Sequence, residues 1–411
     1  MPKFPWLLTL LLLLPSGGAV AAQHDDPEQP ADPGRTVLPA SPLEIAMDLN
    51  TGRPMVDVLV DGSGPYRFVV DTGAQFSLID AGIASDLGLE VVGSQMVRSP
   101  GVSENIVARR VRPARVEVGG LALEQPVLAA MDLVGFSAGA IEGIIGLGHF
   151  RDLLLTFDYP RSRLVVAKGK LDRDDPATVQ LDPDREHVQI PADIGGVSMP
   201  IVIDTGSPGG FTVPKAFEPR LRFRSEPTPG PTIHLVGGAH PTWRGQLEGT
   251  IRVADIGYEN PQVALTTIVE DFGHIGFLVL RELVITLDQA SRLVRLERVA
   301  APQIAQVPVR VRATGSGPVA LPGAKPRLGV AFRMSPRGFA KESGGLVVQH
   351  VDSGGAADQA GLQSGDIVLA VNGTPLANIE KAAEIGALLR GQRPLELSVL
   401  RGGQRVAVVI P

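Results

Sequence analysis

One short motif occurs twice in this chain and limits the folds that the chain can adopt. Asp71-Thr72-Gly73 follows the apolar run Phe68-Val69-Val70, and Asp204-Thr205-Gly206 follows the apolar run Ile201-Val202-Ile203. An apolar run that ends in Asp and Gly indicates a buried strand leading into a turn. Two such copies predict two similar halves, each of which delivers one carboxylate on the same kind of loop.

The similarity between the halves extends beyond the motif. TFDYPRSRLVV starts at Thr156 and TLDQASRLVRL starts at Thr286. Ahead of each segment stands a glycine: Gly146 follows the first motif's Asp by 75 residues, and Gly276 follows the second motif's Asp by 72. Landmarks that recur in the same order indicate an internal duplication. The alternative is a chance likeness between two β-rich segments.

Composition favours short strands and turns. The 411 residues include 48 Gly and 35 Pro, and only 4% are aromatic, which predicts a mainly β protein. A net charge of −6 gives no reason to expect binding to nucleic acid. The chain has no cysteine, which excludes disulfides, thiol catalysis and thiolate metal ligands. Its seven His residues lack the spacing of a zinc site, so we expect no metal and no cofactor.

The N-terminus has the pattern of a secretory signal peptide. Lys3 precedes the apolar stretch Trp6–Leu14, and Ala19–Ala22 offers small residues for cleavage. We therefore predict a signal peptide over residues 1–22, with an uncleaved anchor as the alternative. The apolar stretch is shorter than the roughly 20 residues that span a bilayer, and no later segment is long and apolar enough to cross one. Residues 23–41 are polar and Pro-rich and predict a flexible leader.

Four regions follow the leader. Strand and turn patterns cover residues 42–170 and recur over residues 171–300, so each range is predicted to form one lobe. Residues 301–324 become rich in Gly and Pro and predict a linker. Residues 325–411 are predicted to form a separate α+β domain.

The doubled Asp-Thr-Gly, with the apolar-Gly segments Ile144-Ile145-Gly146 and His274-Ile275-Gly276, resembles the pepsin and retropepsin superfamily of aspartic proteases. The resemblance covers residues 42–299 and implies an acid-protease fold of two pseudo-symmetric β lobes. It implies a catalytic dyad of Asp71 and Asp204. One carboxylate would take a proton from water while the protonated one hydrogen-bonds the scissile carbonyl.

The other residues of the two motifs are expected to support this dyad. In the family the threonines tie the two loops together, which implies that role for Thr72 and Thr205. Gly73 and Gly206 are expected to let the chain turn sharply beside each carboxylate. The alternative is a pair of unrelated turns that each contain an Asp.

The position after each motif differs, with Ala74 in the first copy and Ser207 in the second. In the family a hydroxyl there bonds its Asp and stabilises the charged form. We therefore expect Asp204 to be the charged member of the dyad and Asp71 to hold the proton.

Two further patterns concern access to the cleft and other chemistry. Hairpin flaps cover the cleft in this family, and residues 97–107 and 235–243 are the candidates, with ordinary surface loops as the alternative. Gly135–Gly139 fits the Gly-x-Ser-x-Gly pattern of serine hydrolases. That pattern requires a preceding strand and a following helix, which the sequence here does not predict.

The C-terminal region resembles a PDZ domain of the bacterial protease-associated type. The likeness rests on Arg327-Leu328-Gly329-Val330, on Ala356–Leu362 and on Gly365–Gly373. In that family the first of these segments exposes amides that take a peptide's C-terminal carboxylate, and the peptide adds as a strand. This implies peptide binding at residues 327–330, with Arg327 as the counter-charge. The alternative is that this edge packs against the protease and binds no peptide.

These patterns predict an exported aspartic endopeptidase that acts on proteins or peptides. Both lobes lie in one chain, so a monomer suffices to assemble the site. By association with the family, we expect secretion across the inner membrane into the periplasm. One alternative is a non-catalytic scaffold whose function is PDZ peptide binding, and another is a peptidase that cleaves only its own chain or one partner. Both motifs are intact, which favours the enzyme.

Overall fold

The computed structural model describes twelve stretches of the chain. They are residues 33–74, 76–97, 106–133, 141–182, 187–231, 233–235, 238–299, 330–334, 345–351, 355–376, 388–389 and 394–411. By internal contacts these stretches fall into two compact units. One holds the residues within 1–78, 90–129 and 144–318, and the other holds those within 79–89, 130–143 and 319–411.

Several predictions lie outside the described residues. They concern the signal peptide over residues 1–22, the linker over residues 301–324 and the serine pattern Gly135–Gly139. Across the described stretches, every helix is too short or too polar to cross a membrane.

The first of the two similar halves, residues 33–170, consists mainly of short strands. They are β1 (Arg35–Val37), β2 (Leu43–Ala46), β3 (Met55–Val60), β4 (Ser63–Asp71), β5 (Leu78–Asp80), β6 (Glu90–Val97), β7 (Ile106–Arg112), β8 (Arg115–Val118), β9 (Leu121–Glu124), β10 (Leu128–Met131), β11 (Gly143–Gly146), β12 (Leu154–Asp158) and β13 (Arg163–Ala167). Helix α1 (Ala81–Asp86) and two 3-10 helices, Leu147–Phe150 and Tyr159–Arg161, lie among them.

The second half, residues 171–299, has the same character. Its strands are β14 (Thr178–Gln180), β15 (Gln189–Ile194), β16 (Val197–Ile203), β17 (Phe211–Pro214), β18 (Thr228–Pro229), β19 (Ile233–Leu235), β20 (Gly238–His240), β21 (Thr242–Gln246), β22 (Thr250–Val253), β23 (Ile256–Glu259), β24 (Gln262–Thr266), β25 (Gly273–Ile275), β26 (Leu283–Asp288) and β27 (Leu293–Arg298). Helix α2 (Phe277–Leu280) and the 3-10 helix Lys215–Arg220 complete it.

The two halves build sheets with matching strand orders. A ten-stranded sheet of the first half runs β1-β9-β8-β3-β4-β11-β5-β10-β7-β6, and a nine-stranded sheet of the second runs β18-β21-β24-β17-β25-β16-β15-β22-β23. Read from β8 to β7 and from β22 to β21, the orders match strand for strand. The duplication predicted from the sequence is therefore present in the fold.

A six-stranded sheet contains strands of both halves. Its order is β14-β27-β26-β12-β13-β2, so β12 and β26 lie side by side at its centre. These two strands run antiparallel with Thr156 opposite Thr286, and the two hydroxyl oxygens are 2.9 Å apart. Since these threonines begin the two repeated segments, the pseudo-twofold axis passes between them.

The β3–β4 hairpin, which leads to the first motif, shows why these residues form a half-buried sheet. In β3, Met55, Val56, Val58 and Val60 are buried whereas Asp57 faces solvent. β3 pairs with β4 through a hairpin turn at Asp61 and Gly62, both of which have positive φ. The hairpin brings the apolar end of β4 into the core, and Asp71 is its last residue.

Part of the predicted flexible leader is ordered. Arg35–Val37 forms β1 and pairs antiparallel with β9, and the Arg35 guanidinium is ion-paired with Glu124. The polar, aperiodic composition of residues 23–41 does not reveal these partners, because they lie far along the chain.

The C-terminal region forms a sheet of its own. Its strands are β28 (Val330–Met334), β29 (Leu346–Val351), β30 (Ile367–Val371), β31 (Thr374–Pro375), β32 (Leu395–Arg401) and β33 (Gln404–Ile410), with helix α3 (Ala356–Gln359). The order is β28-β29-β30-β32-β33, with β31 paired to β30. A tight turn is present at Asn372 and Gly373, both at positive φ. Around these strands Leu346, Val368 and Leu397 belong to one buried core. The chain is mainly β, as predicted.

Candidate active site

The two halves place their motif carboxyl groups in equivalent positions. Asp71 ends β4, and Asp204 directly follows β16. Asp71 is 1% exposed and Asp204 is fully buried. Burying two acids at the ends of two symmetric strands is costly for the charged forms, so the surroundings of the pair determine how many protons it holds.

Reciprocal hydrogen bonds join the two loops. The backbone N–H of Thr72 donates to Oγ1 of Thr205, and the N–H of Thr205 donates to Oγ1 of Thr72, each at 3.0 Å. Each hydroxyl then donates to a backbone carbonyl of the opposite strand, Thr72 to Ile203 and Thr205 to Val70. The expected tie between the loops is therefore present at both threonines.

The apolar-Gly segments pass against the loops where only glycine fits. A Cβ on Gly146 would lie 2.9 Å from the backbone of Phe76 and 3.0 Å from the carbonyl oxygen of Ala74. A Cβ on Gly276 would lie 2.7 Å from the carbonyl oxygen of Ser207. Contacts this short force the neighbouring backbone to move. The two glycines therefore let β11 and β25 approach the motif loops closely.

The chain turns at each motif glycine, as expected, and a backbone hydrogen bond closes each turn. Neither Gly73 nor Gly206 has a positive φ among the described residues, so neither provides a left-handed turn. Gly206 is needed for close approach instead, because a Cβ there would lie 2.5 Å from Cγ of Asp71. Gly73 contributes its N–H, which donates to Oδ1 of Asp71 at 2.7 Å.

The electrostatics of the pair reverse the predicted asymmetry. Burial raises the pKa of Asp71 to about 6, against the lowering effects of the Gly73 N–H and the Arg53 guanidinium. Burial and the charge of Asp71 raise the pKa of Asp204 well above its ordinary value. Neither oxygen of Asp204 has a hydrogen-bond partner among the described residues. The prediction that the Ser207 hydroxyl stabilises a charged Asp204 is therefore wrong, and Asp71 is the better-stabilised carboxylate.

The reason lies in the direction of the Ser207 side chain. Its Oγ accepts the N–H of Gly209 at 3.3 Å. The backbone N–H groups of Gly206 and Ser207 make no hydrogen bond to Asp204 by geometry, but they are near enough to lower its pKa, by less than burial raises it. Asp71, in contrast, accepts a short hydrogen bond from Gly73. We therefore assign the charge to Asp71 and the proton to Asp204.

Two further side chains act on the pair, and sequence reasoning missed both. Arg53 is 6% exposed, and its Nε donates to the carbonyl of Gly206 at 2.7 Å. The phenol of Tyr159 is buried and has no hydrogen-bond partner in the described part of the chain. Burial, then the charges of Asp204 and Asp71, raise the pKa of Tyr159 well above its ordinary value. Each of these residues occurs in the first half and is replaced by a different residue in the second. A position-by-position comparison of the two repeats could therefore have pointed to them.

Ser77 and His149 form a buried pair next to the first loop. Oγ of Ser77 lies 2.7 Å from Nε2 of His149 and accepts the N–H of Gly146 at 3.0 Å. Nδ1 of His149 lies 2.9 Å from the carbonyl oxygen of Pro33. A carbonyl only accepts, so Nδ1 carries the proton and Nε2 accepts from Ser77. A carbonyl stands where a Ser-His-acid triad has its acid, so the pair is a structural link.

Comparison with known protein families covers two parts of the chain. Residues 56–158 match the family described as aspartyl protease, and residues 326–411 match the family described as PDZ domain. The chain carries an aspartyl protease domain and a C-terminal PDZ domain. Comparison with curated proteins gave no match.

The aspartyl protease match includes Asp71 and ends before the second motif. The place of Asp204 beside it rests on the duplicated fold and on the threonine hydrogen bonds. The family match and the duplicated fold both agree with the resemblance to aspartic proteases.

The flap candidates of the aspartyl protease domain are partly described. β6 and β7 form a hairpin that pairs from Glu90 to Val97 and from Ile106 to Arg112, and its tip, residues 98–105, lies outside the described residues. In the second half, β19 and β20 form a two-stranded hairpin. The described residues that flank each candidate pair as antiparallel strands, and the role of the candidates as flaps stays a prediction.

The predicted peptide-binding residues of the PDZ domain are only partly visible. Arg327, Leu328 and Gly329 lie outside the described residues. Val330 begins β28, is buried, and pairs with Val351. Their role stays a prediction. No group of three His, Cys, Asp or Glu side chains in the described stretches is arranged to hold a metal ion.

Proposed function

We propose that this protein is an aspartic endopeptidase whose dyad is Asp71 and Asp204. The observation that carries the proposal is the reciprocal bonding of Thr72 and Thr205, which holds two buried, unequal carboxyl groups on paired loops. Such a pair retains one proton over a useful pH range, because a second negative charge in the same buried space is unfavourable.

In the proposed reaction Asp71 acts as the general base. A water between the carboxyl groups gives its proton to Asp71 while its oxygen attacks the carbonyl carbon of the peptide bond. Asp204 donates its proton to the carbonyl oxygen, which leaves a neutral tetrahedral diol. The proton on Asp71 then passes to the amide nitrogen, the C–N bond breaks, and a diol proton returns to Asp204. No covalent enzyme intermediate is needed.

The decisive experiment is cleavage of a denatured protein by the mature chain from about pH 4 to about pH 8, which spans the pKa of about 6 at which Asp71 loses its proton and leaves one proton on the pair. Asp71→Asn and Asp204→Asn are tested beside it. We expect cleavage by the native protein and a loss of about 1,000-fold or more in each variant. Cleavage that persists in both variants overturns the proposal.

The PDZ domain belongs to a family of peptide-binding domains, and we propose that it recruits substrates or partners through their C-termini. A peptide with a free C-terminal carboxylate should bind more tightly than the same peptide with a C-terminal amide. Arg327→Ala should remove most of that difference. Equal binding of both peptides contradicts the proposal. Tight peptide binding without cleavage by any form would favour the scaffold alternative.

We also propose that the chain is exported to the periplasm and acts there as a monomer. Support comes from the signal-peptide pattern of residues 1–22 and from the presence of both motifs in one chain. Fractionation of the producing cells and N-terminal sequencing test the first part, with a mature N-terminus near Gln23 expected. Light scattering of the active protein tests the second. A cytoplasmic, uncleaved product or an obligate dimer contradicts the respective part.

A further inference from the structure

Arg53 is a buried cation next to the two carboxyl groups. Arginine is almost never fully buried unless it is paired, yet Arg53 is only 6% exposed. Its Nε donates to the carbonyl of Gly206 at 2.7 Å, and Nη1 is 3.5 Å from the carbonyl oxygen of Thr51. The residue reaches from the start of the first half to the loop of the second.

The peptide group that Arg53 contacts belongs to the second motif loop. The carbonyl of Gly206 accepts from Arg53, and the N–H of the same peptide group is that of Ser207, which donates to the main-chain carbonyl of Asp204 at 3.2 Å. A peptide bonded at both ends is fixed in orientation and polarised by each partner. Since Gly206 also lies against Cγ of Asp71, Arg53 holds the segment that touches both carboxyl groups.

The charges in this buried space can be counted. The described titratable groups that act on one another here are Asp71, Asp204, Arg53 and Tyr159. The tyrosine is neutral in the working range, so the guanidinium balances one carboxylate. The cluster then has zero net charge when the pair holds one proton, +1 when it holds two and −1 when it holds none. Burying a net charge is strongly unfavourable.

We propose that Arg53 is a positioning residue that holds the Gly206–Ser207 peptide and makes the singly protonated dyad the electrically neutral form of the buried cluster. This inference rests on the proposed endopeptidase function. Arg53 thereby sets the pH range in which the dyad has its working protonation. The Coulomb attraction to Asp204 and Asp71 that opposes the burial of Arg53 agrees with this role.

The second half carries a different residue at the equivalent place. The N–H of Val70 donates to the carbonyl of Pro54, and the N–H of Ile203 donates to the carbonyl of Val188, so Arg53 corresponds to His187. Among the described residues, the duplication therefore supplies one arginine to the site.

The test compares charge with hydrogen bonding in two substitutions. Arg53→Gln keeps an N–H donor and removes the charge, whereas Arg53→Lys keeps the charge and loses the planar guanidinium. Without the cation both protons bind more tightly, so we expect both limbs of the pH profile of kcat/KM to move up by about one pH unit in Arg53→Gln. Arg53→Lys should keep both limbs in place and lower kcat about tenfold with little change in KM, because the peptide group is held less firmly.

Arg35→Gln is the matched control, since the Arg35 side chain is 75% exposed. It should leave both limbs unchanged. Limbs of Arg53→Gln that coincide with those of the native protein overturn the proposal. If Arg53→Gln does not fold, limbs that shift in Arg53→Lys overturn it instead, because the charge is retained there.

A second readout does not depend on cleavage. ¹³C-labelled aspartate reports carboxyl protonation by NMR, and Asp71→Asn and Asp204→Asn identify the two signals. Arg53→Gln should raise the titration midpoints of both. A shift in the NMR midpoints of a protein that cleaves nothing would support the role of Arg53 and contradict the endopeptidase proposal. Cleavage by the native protein, with titration midpoints that Arg53→Gln leaves unchanged, would support the endopeptidase proposal and contradict the role of Arg53.

Discussion

Thr72 and Thr205 hydrogen-bond each other's backbone N–H groups through their hydroxyl oxygens at the same distance, 3.0 Å, in both directions. Each hydroxyl also donates to the strand that precedes the other's motif. Every group in this exchange is buried and partnered. The exchange joins the two halves at the point where the two candidate catalytic carboxyl groups lie.

Replacing either threonine by valine should destabilise the protein and reduce cleavage. Thr72→Val removes the hydroxyl that bonds the Thr205 N–H and the Ile203 carbonyl. Each buried group that loses its partner should lower the free energy of unfolding by about 1–3 kcal/mol. Thr72→Ser keeps the hydroxyl and should retain most of the stability. Chemical denaturation of the single variants and of the double Thr72→Val/Thr205→Val variant gives the coupling energy. Losses that add without coupling would contradict a shared network.

Gly206→Ala should abolish most cleavage. The new Cβ would lie 2.5 Å from Cγ of Asp71, so the carboxylate must move, and a displacement near 1 Å costs about 100-fold in rate. Gly257→Ala is the matched control, because its Cβ would meet only Cγ2 of Thr250 at 3.5 Å. Rates of peptide cleavage measure both. Near-native activity in Gly206→Ala would show that Asp71 does not need its present position.

Removing the charge of Asp71 should stabilise the protein at neutral pH. Burial raises its folded pKa to about 6 from an ordinary value of 3.8, so the folded state binds the proton more tightly than the unfolded state does. Its contribution to stability is therefore full below pH 3.8 and is lost as the pH rises through about 6. Between these two pH values the free energy of unfolding of the native protein should fall by about 3 kcal/mol relative to that of Asp71→Asn.

Denaturant unfolding at a series of pH values measures this difference. Asp57→Asn serves as the control, since the Asp57 side chain is 65% exposed, and it should follow the native curve. An Asp71→Asn protein no more stable than the native one at pH 7 would refute the assignment of a raised pKa to this carboxyl.

Arg401 should stabilise the PDZ domain through one acidic partner. Its Nε and Nη2 donate to Asp366 at 2.7 and 2.6 Å, and Nη2 also donates to the carbonyl of Gly361 at 2.8 Å. The Asp366 side chain is 1% exposed, so Arg401→Gln leaves a buried carboxylate short of partners. We expect a loss of about 2 kcal/mol, less than for a fully buried pair, because Arg401 is partly exposed.

Hydrogen exchange of the β32 and β33 amides measures this loss where it occurs. Faster exchange in these strands is expected for Arg401→Gln. The exposed Arg405, which lies on β33, provides the control substitution Arg405→Gln. Equal exchange in the two variants would contradict a stabilising role for the ion pair.

Much of the fold could be predicted because it follows from repetition and apolar patterning. The repeated segments at Thr156 and Thr286 predicted two equivalent strands, and the structure pairs them across the pseudo-twofold axis. This pairing depends on strand direction and order, which alternation and turn residues reveal. The link between the loops at the motif threonines was implied by the family resemblance, and the structure has these hydrogen bonds.

The electrostatics of the site were less accessible, because they depend on where side chains point. The hydroxyl of Ser207 has the spacing that would serve Asp204, yet its Oγ accepts the N–H of Gly209 and neither Asp204 oxygen is partnered among the described residues. Arg53 lies 18 positions before Asp71 without any local pattern that marks it. Its partner, the carbonyl of Gly206, is a backbone group that no composition or periodicity identifies.

The correspondence of Arg53 with His187 has a consequence for the number of cations that the site can hold. An assembly of two identical chains adds every side chain to its central site in twos, so a cation near the dyad would come as two or none. Two fixed positive charges would lower both pKa values of the pair and favour its ionised form, and none would leave both pKa values higher. A duplicated single chain can contribute an odd number. One permanent positive charge beside two acids makes the half-ionised state the balanced one.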